Sequence, residues 1–270
     1  MKISVIAANN LTLNGAISFG AGQSTVLVES PVVVATLGAA LGGTFSFAKY
    51  GPGVLALSNP ANNYSGVTYV NDGVLRASVA NAFSVNSQIN VAPIGTVDLN
   101  GINSAIGSLV GSGFVTNNSG TGATLRIGAD NSNFTYSGRF GASTQVSTSL
   151  NIDKIGTGTM TIDSAAGTNT ISIGVATVSQ GTLVLSGANG STKFGTYTLP
   201  TGGALVPCVL SAKAAASLCS RCVLKLPPPQ TMTRSGAAGR KRSATATVMA
   251  VYSASVACTS AGLAVASRSA

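Results

Sequence analysis

Short apolar stretches that end at glycine or asparagine recur through residues 1–195, and they constrain the fold more than any other feature of the sequence. Within a stretch, apolar residues alternate with small or polar ones, so Leu55 and Leu57 share one face while Ala56 lies on the other. A period of two is typical of β-strands with one buried and one mostly wet face, where we expect Asp98 and Arg126. The pattern predicts strands over 54–57, 68–70, 74–77, 89–91, 96–99, 114–116, 124–127, 160–162, 171–173 and 183–185.

No stretch supports a helix of useful length, because glycine or asparagine interrupts every window with a 3.6-residue period. An alternating β–α fold, which needs helices of about ten residues or more between its strands, is therefore excluded. A sandwich, a barrel or a solenoid remains.

Two distant segments favour the solenoid. Residues 49–58 and 154–163 both read Lys-x-Gly-x-Gly-x-apolar-x-apolar, and each is followed roughly 20 residues later by Gly-x-Leu, at 73–75 and at 181–183. A pitch of roughly 20 residues predicts a parallel β-helix with about nine or ten turns in residues 1–195. We expect its aliphatic residues to stack inward and its glycines and asparagines to form the corners, where positive φ is often needed. The residues that define the structural repeat are Lys49, Gly51, Gly53, Leu55, Leu57, Tyr64, Gly66, Gly73, Leu75, Lys154, Gly156, Gly158, Gly181 and Leu183.

The composition changes abruptly near residue 195. Residues 1–195 contain seven basic and six acidic residues, whereas residues 196–270 contain the other eight basic residues, no acid and all four cysteines. The preferred interpretation is a β-helical segment over 1–206 and a poorly structured, misframed tail over 207–270. A genuine basic, low-complexity tail is the alternative.

Residues 49–77 resemble the passenger-associated transport repeat of bacterial autotransporters. The resemblance implies a right-handed β-helical passenger stem of a type V secretion system, exported to the cell surface, with a signal peptide and a C-terminal β-barrel translocator expected outside this sequence. A second unit over 123–163 resembles the next repeat, but residues 163–170 depart from the pattern and leave Tyr64 and Gly66 without a clear equivalent. The matching positions are Lys49, Gly51, Gly53, Leu55, Leu57, Ser58, Asn63, Tyr64, Ser65, Gly66, Thr68, Val70, Gly73 and Leu75.

No catalytic residue, metal site or cofactor is predicted. The chain contains no histidine, which excludes a Ser–His–Asp triad and histidine metal ligands. Asp153 and Asp163 are the one carboxylate pair considered for acid–base chemistry, and we interpret them as solvated loop acids. Cys219 and Cys222 resemble half of a zinc site, but their partners would be irregularly spaced, and incidental cysteines in a misframed tail are the preferred interpretation.

The expected function is a structural or adhesive stem without catalysis, whose partner is a host-cell or glycan surface. A carbohydrate- or host-binding adhesin module is the alternative, and a β-helical polysaccharide-degrading enzyme is less favoured. The basic cluster at 240–242 is not expected to bind nucleic acid, and no tightly bound small molecule is expected. Tyr64 and Tyr69 are considered as ligand platforms, although packing along the exterior of the rod is the preferred interpretation. Residues 243–267 are too rich in alanine, serine and threonine to be favoured as a membrane span.

Overall fold

The computed structural model of the chain describes residues 2–6, 9–17, 19, 22–141, 149–163, 171–186, 192–198, 204–206 and 221–225. For residues 171, 185 and 186 and for the last three ranges, only the backbone is described. The tail features predicted beyond residue 225 therefore lie outside the described residues. In chain order the strands are β1 (Lys2–Val5), β2 (Leu11–Leu13), β3 (Gln23–Val28), β4 (Val34–Leu37), β5 (Ser46–Tyr50), β6 (Val54–Leu57), β7 (Thr68–Val70), β8 (Gly73–Ala77), β9 (Ile89–Val91), β10 (Gly95–Asp98), β11 (Ser104–Ile106), β12 (Leu109–Gly111), β13 (Phe114–Thr116), β14 (Ala123–Ile127), β15 (Phe134–Tyr136), β16 (Arg139–Phe140), β17 (Leu150–Lys154), β18 (Thr159–Asp163), β19 (Ile171–Val178), β20 (Thr182–Ser186), β21 (Thr192–Thr198), β22 (Ala204–Val206) and β23 (Arg221–Lys225).

The described strands coil into a parallel β-solenoid, which confirms the predicted fold class, and no helix occurs among the described residues. Its first face, face 1, stacks β1, β3, β5, β7, β9, β12, β15, β18 and β20, all parallel to their neighbours. The pairing of Leu109 with Ile89 gives a turn of 20 residues, and the pairing of Met160 with Phe134 gives one of 26. The pitch predicted at roughly 20 residues is therefore the lower end of the observed range.

Two further faces complete each turn. Face 2 stacks β2, β4, β6, β8, β10, β13 and β16, and face 3 stacks β11, β14 and β17. The long strand β19 joins them, because Ile171 pairs with Phe140 of β16 while Ala176 pairs with Ile152 of β17. The strand β21 then pairs in parallel along β19.

The parallel order on face 1 ends after β20. This strand pairs antiparallel with β23, which in turn pairs antiparallel with β22. The strand β23 lies inside the segment predicted to be a poorly structured tail, so at least these five residues adopt regular backbone structure.

The interior is filled by the inward residue of each strand. On face 2, the register aligns Ala35, Leu55 and Leu75 in one ladder, and all three side chains are buried. Aromatic rings continue the stacking on the other side of the core, where the Phe45 and Tyr64 ring centroids lie 5.4 Å apart. Each turn buries its apolar face against the turns on either side, which is the source of solenoid stability.

The expectation of a mostly wet outer face is wrong at several positions. Ala56 and Asp98 face outward by the strand period, yet they are only 2% and 0% exposed. Outward side chains of adjacent turns cover one another, because neighbouring strands lie only about 4.8 Å apart. In this ladder Arg76 pairs in register with both Ala56 and Asp98.

Candidate functional site

The two KxGxG motifs, residues 49–53 and 154–158, form corners of the solenoid. The first joins β5 on face 1 to β6 on face 2, and the second joins β17 on face 3 to β18 on face 1. The same sequence motif therefore builds two different corners, a displacement by one face that sequence similarity alone did not reveal.

Both motif lysines are fully buried. Lys49 Nζ donates hydrogen bonds to the carbonyl oxygens of Tyr50 at 3.0 Å, Gly51 at 2.5 Å and Asp72 at 3.0 Å. The last of these acceptors belongs to the following turn. The lysine therefore connects its own corner to the next turn by side-chain hydrogen bonds.

Lys154 repeats this arrangement. Its Nζ donates to the carbonyl oxygens of Ile155 at 2.6 Å, Gly156 at 2.9 Å and, one turn further along, Gln180 at 3.4 Å. Burial lowers the pKa of each lysine from 10.5 to about 8, and nearby carboxylates oppose that change. The opposing carboxylate is Asp72 for Lys49, and Asp130 and Asp153 for Lys154.

Glycine is required at these corners because consecutive turns approach each other closely. Gly73 has φ +63°, and a Cβ on it would collide with the carbonyl oxygens of Gly51 and Gly53. Gly181, with φ +76°, meets the carbonyl oxygens of Gly156 and Gly158 in the same way. Each Gly-x-Leu segment thus packs its glycine onto the KxGxG corner of the preceding turn.

The corner between faces 1 and 2 extends this contact into a column of glycines, one in each of five consecutive turns. A Cβ on any member would lie against a carbonyl oxygen of the preceding turn. Gly66 is crowded in a different place, against the backbone of Phe45. The column consists of Gly53, Gly73, Gly95, Gly113 and Gly138.

Tyr64 lies in the interior, so both interpretations of it, as a ligand platform and as an exterior cover, are wrong. Its hydroxyl is 2.9 Å from Thr68 Oγ1, which is 3.0 Å from Ser87 Oγ. Burial raises the pKa of Tyr64 to about 12. Tyr69 remains partly exposed on the outer side of β7. The alternation that predicts inward residues failed for Tyr64 because this residue lies outside a strand.

Asparagine side chains form a second system of connections between turns. In five places the side-chain oxygen of an asparagine accepts the backbone N–H of a residue one turn later. Sequence reasoning expected asparagines at corners for their tolerance of positive φ, and Asn81, Asn100 and Asn131 do have it. The five donor residues and their asparagine acceptors are Val34 and Asn10, Thr124 and Asn103, Thr157 and Asn131, Thr159 and Asn133, and Val175 and Asn151.

The carboxylates of the described region are engaged by neighbouring groups. Asp98 is fully buried, accepts a hydrogen bond from Arg76 Nε at 3.0 Å and also binds two backbone amides. Asp153 binds Arg126 Nε at 3.4 Å and the Ser179 hydroxyl at 2.6 Å. The interpretation of Asp153 as a solvated loop acid is wrong, since it lies in β17 and its side chain is only 15% exposed. No group of three metal-ligating side chains occurs in the part of the chain that the structure describes.

An apolar stripe runs along the outside of face 2. It is formed by Val34, Val54, Val74, Thr96 and Phe114, which are aligned by the strand register and alternate with buried residues. At its end, the Arg139 guanidinium lies 5.1 Å from the centroid of the Phe114 ring. Beside the stripe, at the corner between faces 1 and 2, Val32 is 80% exposed and Ile94 is 68% exposed.

These features define a structural β-solenoid whose motif residues connect turns. Over 133 residues, 48% of this chain, it is 34% identical to the adhesin BmaC autotransporter of Brucella suis biovar 1 (strain 1330). This similarity and the solenoid fold confirm the resemblance to an autotransporter passenger.

The chain spans about 4% of the length of that relative. No protein-family model and no solved structure matched the chain. Within the described residues, no helix is long and apolar enough to cross a membrane.

Proposed function

We propose that this β-solenoid is part of the stem of an autotransporter passenger on a bacterial surface, and that it performs no catalysis. The observation that carries the proposal is the uninterrupted parallel stacking of face 1 from Lys2 to Ser186. Such a stack transmits its geometry from turn to turn, as a spacer must, and its buried polar side chains bind backbone groups of adjacent turns. The name of the relative, an adhesin autotransporter, supports a role at the cell surface.

Surface location can be tested on intact cells of the source bacterium with antibodies raised against the purified chain. We expect labelling without permeabilisation and loss of the label after external protease treatment. A cytosolic protein labelled in parallel controls for cell integrity. Labelling that requires permeabilisation would contradict the surface location.

The enzymatic alternative has a separate test. The purified chain is incubated with a panel of polysaccharides, and released reducing ends and unsaturated products are measured. We expect no product above a heat-denatured control. Turnover by the folded chain that disappears on denaturation would replace the stem proposal with a polysaccharide-degrading enzyme.

An adhesive role for the solenoid itself is a second candidate, and the apolar stripe on face 2 favours it. Contiguous exposed apolar surface on a soluble protein often marks an interaction site. The predicted partner is a host-cell or glycan surface. In a double variant, Val32→Ser with Ile94→Ser, saturable binding to host cells should weaken while the melting temperature stays unchanged. The matched control is Val85→Ser, which changes a residue 40% exposed outside the stripe. Equal binding by the double variant and the control would exclude the stripe.

A further inference from the structure

Lys49 and Lys154 have the same set of partners although they lie at different corners of the solenoid. In each case Nζ donates to the carbonyls of the next two residues and to one carbonyl of the following turn. An ammonium group has three N–H donors and no acceptor. Three carbonyls therefore satisfy it completely, and the same match is built twice.

The second residue of each corner makes this geometry possible. Gly51 has φ +78° and Gly156 has φ +71°, which is the left-handed region. In an extended strand, successive carbonyls point to opposite sides, whereas a residue in a helical conformation turns both to the same side. The carbonyls before and after each glycine can therefore face one ammonium group.

We propose that each KxGxG corner is a cation cage that the lysine fills with its own ammonium group, and that the cage binds a free primary ammonium ion when the lysine side chain is removed. The cage of Lys49 consists of the carbonyl oxygens of Tyr50, Gly51 and Asp72. The cage of Lys154 is also lined by Gly128 and Gly181, where a Cβ would lie 3.0 Å from Nζ.

The distances select the class of ion. The six Nζ to oxygen distances run from 2.5 to 3.4 Å. Most of them match N–H···O hydrogen bonds of about 2.7–3.2 Å. Magnesium and calcium bind oxygen at about 2.0–2.6 Å, so these cages are too wide for either metal without contraction. Nearby carboxylates, Asp72 at one cage and Asp130 and Asp153 at the other, favour a positive charge.

The test replaces the lysine side chain with a small molecule. Lys49→Ala removes the atoms from Cγ to Nζ, and n-propylammonium supplies the same atoms. The full chain is melted at neutral pH in propylammonium chloride or in tetramethylammonium chloride at equal ionic strength. We expect the variant to melt roughly 5–10 °C below the unmodified chain. Propylammonium should recover part of that loss, while tetramethylammonium, which has no N–H donor, should not.

Lys2→Ala is the matched control, because it removes an exposed lysine on β1. Neither this control nor the unmodified chain should distinguish the two salts. Identical melting temperatures of Lys49→Ala in the two salts would overturn the proposal.

A measurement on the unmodified chain covers the case in which Lys49→Ala does not fold. Caged ammonium groups exchange their protons slowly, so nitrogen-15 NMR of the lysine side chains should show two protected ammonium signals at neutral pH. Conservative substitution by methionine, one lysine at a time, assigns them. The absence of protected ammonium signals in the folded, unmodified chain would also overturn the proposal.

Discussion

Replacing Leu55 with aspartate should unfold the turns around β6. The Leu55 side chain is fully buried, and the strand register places it between Ala35 of β4 and Leu75 of β8. Truncating a buried leucine costs about 2–5 kcal/mol. A buried carboxylate without a partner adds several kcal/mol more. The total, about 6–10 kcal/mol, is comparable with the entire stability of a typical domain, about 5–15 kcal/mol.

The loss should be local, because each turn of a solenoid contacts mainly its neighbours. Hydrogen exchange followed by mass spectrometry resolves this directly. In Leu55→Asp, peptides covering β4, β6 and β8 should lose protection, whereas peptides covering β14 and β17 should keep it. The midpoint of unfolding in urea should fall at the same time.

Val54→Asp is the matched control. It introduces the same charge one residue away in the same strand, but Val54 points outward and is only partly buried. We expect its effect to stay within about 1 kcal/mol. If both variants lost equal protection and equal stability, the inward and outward assignment of β6 would be refuted.

Three further predictions concern the corners and the buried polar groups. Gly73→Ala should destabilise the chain far more than Gly22→Ala, because both residues have positive φ but only Gly73 would place its Cβ against backbone oxygens; urea titration of the two variants measures the difference. Asn117→Ala should cost about 2–4 kcal/mol in the same assay, since its amide binds three backbone groups, including the Gly101 N–H at 2.6 Å. Between pH 8 and 10.5 the unfolded chain binds more protons than the folded chain at Lys49, so stability should rise with pH; above pH 10 the raised pKa of Tyr64 has the opposite sign, so stability should fall. A flat stability profile over pH 8 to 12 would contradict both assignments.

The fold class could be predicted because two of its causes are local in the sequence. The alternation at Leu55 and Leu57 reports which side chains point inward, and the lack of helical windows excludes other ways to cover a sheet. Strand bounds were also accessible, since 54–57, 68–70, 89–91 and 114–116 agree with β6, β7, β9 and β13. The handedness of the coil stays a prediction.

The chemistry of the corners could not be predicted, because it depends on contacts between turns. A lysine among polar residues is usually exposed, and nothing in its immediate sequence shows that three carbonyls surround Lys49. The burial of Asp98 has the same origin, since its partners Arg76 and Asn118 belong to the preceding and following turns. Periodicity describes one strand at a time and contains no information about the ladder outside it.

The displacement of the second KxGxG motif to another corner shows what the repeat encodes. The contacts of Gly73 and Gly181 involve only one turn and the next, so they require a local corner and its register rather than a particular face. Turns can then vary from 20 to 26 residues as long as adjacent strands remain paired. Similarity between two repeats in such a chain therefore identifies shared corner chemistry, not equivalent positions on the solenoid. The cage is accordingly the unit to compare between repeats, and the outward residues beside it are free to differ from turn to turn.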